Sequence, residues 1–373
     1  MMEHSNARAA AIASAHKIVV KAGTRLLIDR DSIAALVDGI AAIRDAGKRV
    51  LLVSSGAVGM GMEAVGLKER PRELAQKQAL AAIGQSRLMS IYAEEAAKHG
   101  FKVAQMLLTA YDFSRRDRCL NVKNCINALW DKDILPIINE NDSVSVDELR
   151  FGDNDTLSAM MASITGAELA VILTTVDGLY DRDPDGSLGK RIPLVDKLDD
   201  GIRELAGGTD DSNFSIGGMA SKLRAAEIAT TAGSYMWIAD GRVRGICCKI
   251  LDGEDVGTLF LPRRKLSGKK RWFGYLRKSR GTVTVDGGAA EALKKRGKSL
   301  LPSGATDVDG DFRRGDTVDI ADPKGKVFAR GLVNFDAEEC RKILGCKSGR
   351  LHEVLGADAD EELVHRDNLL LLL

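Results

Sequence analysis

The chain has 373 residues, 45% hydrophobic and only 5% aromatic, and its 54 Lys and Arg against 53 Asp and Glu leave a formal net charge of +1. That length sets a prior of about two or three domains, and the charge balance excludes both a globally basic nucleic-acid coat and an acidic disordered chain. Thirty-eight glycines beside seven prolines suit a loop-rich α/β protein and exclude collagen-like or proline-rich chains.

Along the chain, the alanine-rich stretch Ala7 to Ala15 ends like a signal-peptidase site, but Arg8 interrupts it and no Leu-rich core precedes it. His16 to Lys21 reads as a strand, and Ile33, Leu36, Val37, Ile40 and Ile43 follow at helical spacing up to Gly47. Arg49 to Ser54 is again a strand, ahead of a Gly-rich turn. A long helix covers Glu73 to Lys98. Further strands are expected at Lys102 to Leu108, Ile134 to Asn139, Leu169 to Thr174 and Tyr235 to Ala239. Continuous apolar strands separated by helices predict a mainly parallel sheet sandwiched by helices, whose ligands gather at the carboxyl ends of the strands.

The pattern changes at Pro262. Residues 262–280 are dense in Lys and Arg and read as a linker or domain-edge strand; beyond them, short segments with frequent turns predict a small, partly β barrel. The expected domains are 1–265, a basic linker 266–280, and 281–373. Among the six cysteines, Cys119 and Cys125 fall in an apolar helical pattern and Cys247 and Cys248 in a strand-like run. Cys340 and Cys346 lack CxxC spacing, so the set reads as free thiols in a reducing cytoplasm. The closing run Leu369 to Leu373 is far below the ~20 apolar residues of a membrane span.

Four post-strand segments carry chemistry. After the first strand, Lys21-Ala22-Gly23-Thr24 offers an ammonium for a phosphate and, through Gly23, close backbone N–H groups. Ser54-Ser55-Gly56-Ala57 reads as a helix cap or an anion-holding turn, and alone the cap is favoured. Asn139-Glu140-Asn141-Asp142 and Gly152 to Ala159 crowd amides and carboxylates beside strand ends. Asp153 or Asp155 would cap the helix that follows, and the density of these groups suits a small zwitterion; the acids could also orient lysines or magnesium. Last, Ile216-Gly217-Gly218-Met219-Ala220-Ser221-Lys222 is a glycine pair opening a helix that carries a lysine. It is no Walker A motif, and GxGxxG is absent too, yet a helix N-terminus beside a lysine suits a triphosphate. The histidines lie at the termini or on predicted surface, so no Ser-His-acid set can be drawn. Phosphoryl transfer to a carboxylate needs no base, because a glutamate-type nucleophile (pKa ~4.3) is already ionised; cations must instead offset repulsion between anions.

Taken together, VVKAGT, VSSGAV, Lys77 to Met89, QMLLT, INEND, GDNDTLSA, LTTVDGLYDRDP and GGMASK resemble the amino acid kinase family over nearly the whole chain, and the tail from about Arg280 resembles a PUA domain. The resemblance implies ATP-dependent phosphorylation of the side-chain carboxylate of L-glutamate to L-glutamyl 5-phosphate, toward proline, in the cytoplasm. It implies Lys21, Lys222 and Asp155 as catalytic residues, with Ser55, Asp142, Asp153 and Asn154 on the substrate. Lys21, Thr174, Thr175 and Ile216 to Lys222 (Ile216, Gly217, Gly218, Met219, Ala220, Ser221, Lys222) would hold ATP. Mg²⁺ would bridge its phosphates with no metal ligand assigned. Ala22, Thr175 and Ile216 depart from the family's usual larger apolar residue, aspartate and threonine. A homo-oligomer and feedback by proline are also implied. The alternatives are a sibling kinase acting on acetylglutamate, aspartate, carbamate or UMP, and an RNA-binding protein led by the tail. For the tail, a role in stability, assembly or regulation is favoured over RNA.

Overall fold

The computed structural model describes residues 2–27, 29–113, 116–144, 153–183, 187–205, 218–263, 279–346, 351–355 and 361–372. Gly152, Pro184, Ile216, Gly217 and most of the basic segment (264–278) therefore lie outside the described residues. The chain divides into two compact units, Met1–Lys265 and Leu266–Leu373.

The first unit opens with helix α1 (Met2–Ser14) and strand β1 (Lys17–Ala22). Helix α2 (Arg30–Asp45) begins where Asp29 accepts the Ser32 N–H at 2.8 Å, an N-cap followed by Asp31 in the first turn. Its apolar stripe, Ile33, Leu36, Val37, Ile40 and Ile43, is buried against the sheet, each side chain contributing about 1.5–3 kcal/mol of burial. Strand β2 (Arg49–Val53) leads to α3 (Ala57–Val65) and α4 (Leu74–Lys98). Gly61 and Gly84 let these two helices meet backbone to backbone: a Cβ on Gly84 would sit 1.8 Å from the Ala57 carbonyl oxygen. There follow β3 (Lys102–Leu108), α5 (Arg116–Trp130), β4 (Ile134–Glu140), α6 (Asn154–Thr165) and β5 (Leu169–Thr174). A hairpin, β6 (Leu179–Arg182) with β7 (Leu188–Ile192), precedes β8 (Leu194–Val195), α7 (Asp200–Glu204), α8 (Met219–Thr231), β9 (Tyr235–Asp240), α9 (Ile246–Leu251) and β10 (Thr258–Phe260).

The sheet order is β3-β4-β2-β1-β5-β9-β10-β8. From β3 to β9 every pairing is parallel, and only β10 runs against β9. The parallel strands read as continuous apolar runs because helices cover both faces: α2, α4 and α9 pack together on one, α6 and α8 on the other. The chain leaves β1 for β2 on one side and later returns to β5 on the other. The strand order thus reverses at β1, where open parallel sheets bind ligands. Cys247 and Cys248 correct the strand-like reading: they sit in α9, with Cys247 buried against the core. A six-residue apolar run has too few turns for periodicity to separate strand from helix. Among the described residues, no helix is long and apolar enough to cross a membrane.

The second unit has its own core, with Val283, Val318, Ile320, Phe312 and Phe328 buried. Its five-stranded sheet, ordered β12-β11-β13-β14-β15, is built from β11 (Gly281–Val285), β12 (Ala305–Gly310), β13 (Thr317–Ala321), β14 (Val327–Leu332) and β15 (Leu369–Leu371). The C-terminal leucine run is thus the edge strand β15, with Leu369 and Leu370 buried.

Candidate active site

Because β1, β2, β4 and β5 run parallel, their carboxyl ends deliver Lys21, Ser54, Asn139 and Thr174 to one edge; register places Lys21 beside Val53 and Ile172, and Val53 beside Ile138. Helix α6 starts over this edge. Asp153 is its N-cap, accepting the Thr156 N–H at 2.7 Å, so of the two candidate caps Asp153 fills the role and Asp155 lies inside the first turn.

Asp155 is 0% exposed, and its two oxygens face two cations. Lys21 Nζ lies 2.6 Å from Oδ1 and Lys222 Nζ 3.2 Å from Oδ2. Ser221 Oγ also donates to Oδ2, at 3.1 Å. Both lysines are buried, so the carboxylate and its two cations share a low-dielectric setting. Burial pushes the Asp155 carboxyl up, but Lys21 and then Lys222 more than offset it and hold its pKa below the usual carboxylate range.

The neighbouring residue, Asn154, turns the other way. Its Nδ2 donates to the Ser54 carbonyl (2.8 Å), Ser55 Oγ (2.8 Å) and Asn139 Oδ1 (3.1 Å). Asn139 in turn donates to Gln85 Oε1 at 2.9 Å, and Ser54 Oγ shares a 2.9 Å hydrogen bond with the buried Tyr92 hydroxyl. Burial raises the Tyr92 pKa, with the Ser54 hydrogen bond opposing, so this phenol stays neutral. Gln85 Nε2 and Asn154 Oδ1 are buried and have no hydrogen-bond partner among the described residues; each such group costs about 1–3 kcal/mol.

The helix cap read at Ser54 to Ala57 falls on Gly56, the N-cap of α3 at φ 95° in the left-handed region, with no side-chain capping bond from either serine. The Ser55 hydroxyl accepts from Asn154 Nδ2, while the Ser54 hydroxyl bonds the Tyr92 hydroxyl and the Ser55 carbonyl. Gly23 donates its own N–H to the Leu173 carbonyl at 3.1 Å and is the N-cap of the short turn Thr24–Leu26.

The remaining candidates line the same edge. Asp142 lies two residues beyond β4, half-buried. Thr174 ends β5 and its carbonyl accepts the Gly241 N–H at 2.8 Å; the Thr175 carbonyl accepts from Arg242 at 2.9 Å. Gly218 is the N-cap of α8, ahead of Met219, Ala220 and Ser221, and a Cβ there would meet nothing within 4 Å among the described residues. Ile216 and Gly217 lie outside the described residues. Among the described residues, no group of three or more His, Cys, Asp or Glu could hold a metal ion.

Sequence reasoning did not single out Gln85 or Tyr92. The available signal was polarity on a buried stripe: Leu80, Ala81, Gly84, Gln85, Leu88 and Tyr92 share the inward face of α4, and an amide there requires a partner.

The model of the amino acid kinase family matches residues 16–240 and that of the PUA domain residues 281–355. A glutamate 5-kinase of Syntrophus aciditrophicus is 44% identical, covering 95% of this chain and 93% of its own length. A glutamate 5-kinase of Myxococcus xanthus is 44% identical over 97% of this chain and 98% of that one. One of Chromohalobacter salexigens is 41% identical with both chains covered in full (100%).

Proposed function

From the membership of this chain in the amino acid kinase family, in its glutamate 5-kinase branch, we infer that it transfers the γ-phosphoryl group of ATP to the side-chain carboxylate of L-glutamate. The products are L-glutamyl 5-phosphate and ADP, on the route to proline. The bond formed joins a glutamate carboxylate oxygen to the γ-phosphorus, and the bond broken is that from the γ-phosphorus to the β–γ bridging oxygen. No proton has to be removed, since the nucleophile is ionised at neutral pH.

What supports this mechanism is a single observation: two ammonium groups from separate elements meet on one buried carboxylate where the strand order reverses. In our proposal Lys21 and Lys222 neutralise charge on the transferring phosphoryl group and Asp155 aims them. Because they are already ordered and desolvated, no reorganisation is needed during transfer. Ser55, Asp142, Asp153 and Asn154 hold glutamate, and Thr174, Thr175 and the Ile216 to Lys222 turn hold the nucleotide. The donor set suits a divalent cation carried on the phosphates, because both Asp155 oxygens are engaged by cations. Mg²⁺ bound in this way supplies further charge neutralisation.

We assign residues 1–265 to catalysis, 266–280 to a linker and 281–373 to the PUA domain. Assembly into a homo-oligomer and inhibition by proline belong to the same proposal. The deciding experiment supplies ATP, Mg²⁺ and hydroxylamine with L-glutamate, acetylglutamate, aspartate or carbamate. Hydroxamate from L-glutamate alone is expected; preference for another acid overturns the substrate assignment.

A further inference from the structure

Helix α1 lies outside the matched family span, which begins at residue 16, yet it is built into the first unit. Ala11 and Ala15 are fully buried, Ile12 packs on the same core, and Lys48 Nζ donates to the Ile12 carbonyl at 3.2 Å. More unusual is Arg8, only 4% exposed. Charged side chains are seldom buried so deeply unless paired, and Arg8 pairs with Asp255 in the loop between α9 and β10.

Asp255 is also bound by Arg191 of β7, at 2.8 Å. Burial works against the Asp255 carboxylate, but Arg191 and Arg8 hold its pKa below the usual range. Arg191 further donates to the Gly257 carbonyl, and its Nε lies 3.9 Å from Asp177 Oδ2. The Tyr180 hydroxyl donates to Asp177 Oδ1 at 2.5 Å, and Tyr180 is paired with Arg191 in the hairpin register. Charge alternates along the line Arg8, Asp255, Arg191, Asp177. The line runs from α1 to the turn that follows β5, whose opposite side is held by Arg242 on the Thr175 carbonyl. At the start of β10, Thr258 Oγ1 ties that strand to the hairpin, accepting from Leu179 N–H and donating to the Ile192 carbonyl.

We propose that α1 is a clasp for the nucleotide half of the site: Arg8, acting through Asp255 and Arg191, positions Asp177 and the turn that carries Thr174 and Thr175. The inference rests on reading that turn as nucleotide-holding. Arg8 is a positioning residue and touches no substrate.

The test measures kcat and both KM values for full-length Arg8→Gln, Arg8→Lys and Asp177→Asn. Arg8→Gln raises KM for ATP about five- to tenfold, as a coupling between separate sites would, while kcat and KM for glutamate stay within about twofold. Arg8→Lys restores most of the loss. An unchanged KM for ATP in Arg8→Gln overturns the clasp, as does a joint fall in kcat and melting temperature with a rise in both KM values. If Asp177→Asn raises KM for ATP while Arg8→Gln does not, the clasp is wrong and the turn still serves the nucleotide. If neither variant moves it, the nucleotide assignment of the turn falls and the clasp falls with it. Should Arg8→Gln fail to fold, Asp255→Asn, at a side chain 61% exposed, carries the same expectation and the same refutation.

Discussion

Asn154 and Asp155 are neighbours in sequence, yet they anchor two clusters of opposite character. A helix turns about 100° per residue, so Asn154 faces the ends of β2 and β4 while Asp155 faces β1 and α8. The Asn154 cluster is neutral: Asn139, Gln85, Ser54, Ser55 and Tyr92, joined by hydrogen bonds of 2.8 to 3.1 Å. The Asp155 cluster is ionic, with Lys21 and Lys222 sharing one buried carboxylate. A neutral network fixes orientation without burying net charge, although Gln85 Nε2 and Asn154 Oδ1 have no partner among the described residues. A buried ionic cluster costs desolvation and is retained where charge is needed. The difference divides the labour: geometry for the substrate on one side of α6, charge for the phosphoryl group on the other.

The largest expected effect comes from emptying the centre of the ionic cluster. Asp155→Asn removes the buried carboxylate that both ammonium groups share and destabilises the fold by about 3–5 kcal/mol. The pH dependence gives its signature. Because the folded-state pKa of Asp155 is depressed below 3.8, its contribution is fully present above that value and is lost as pH falls through the folded pKa. The stability gap between wild type and Asp155→Asn in urea titrations is thus constant at higher pH and closes only below about pH 4. A gap that shrank near neutrality would show that another group carries the effect.

Next in size are the cations themselves. Lys222→Met and Lys21→Met each lower kcat by about 10²–10³, the usual loss for a preorganised charge-stabilising group, with the fold retained by circular dichroism. If either kept near-normal turnover, the ionic side would be structural and the comparison would fail.

Much of the ionic side was legible in the sequence, for a physical reason. Parallel strands buried on both faces are continuous apolar runs, so their ends are marked, and chemistry after a strand end stands out at Lys21 or Asn139. Lys222 announces itself by a glycine pair opening a helix. The neutral side was half hidden. Ser55 and Asn154 were visible, but Gln85 and Tyr92 reach them from α4, over fifty residues away from Asn154, a helix held by packing on α2 and β3 and by the close backbone approach to α3 at Gly61 and Gly84. Local pattern also misassigned α9 as a strand, because a six-residue apolar run carries too little periodicity. Arg8 gave no signal, since its partner is 247 residues distant.

A smaller effect separates the two clusters kinetically. Asn139→Ala breaks the link from Gln85 to Asn154, and Gln85→Leu removes the same link from the other end. Each deletion of a buried hydrogen-bonding group is worth about 1–2 kcal/mol, or roughly tenfold, and it falls on KM for glutamate rather than on KM for ATP. A matching rise in KM for ATP would mean that the neutral network supports the whole edge, not the substrate side alone.

The smallest effect tests the hinge between them. Asp153 caps the helix that carries both anchors, through a 2.7 Å bond from the Thr156 N–H. Asp153→Asn preserves a good cap, whereas Asp153→Ala loses about 1 kcal/mol of stability. Fraying the first turn moves Asn154 and Asp155 together, so a purely capping role predicts that Asp153→Ala shifts kcat and KM for glutamate jointly while Asp153→Asn shifts neither. If Asp153→Asn keeps wild-type stability but raises KM for glutamate, the carboxylate charge itself meets the substrate's ammonium group. The substrate side would then contain one ionic contact, and the division between the clusters would run through Asp153 rather than between Asn154 and Asp155.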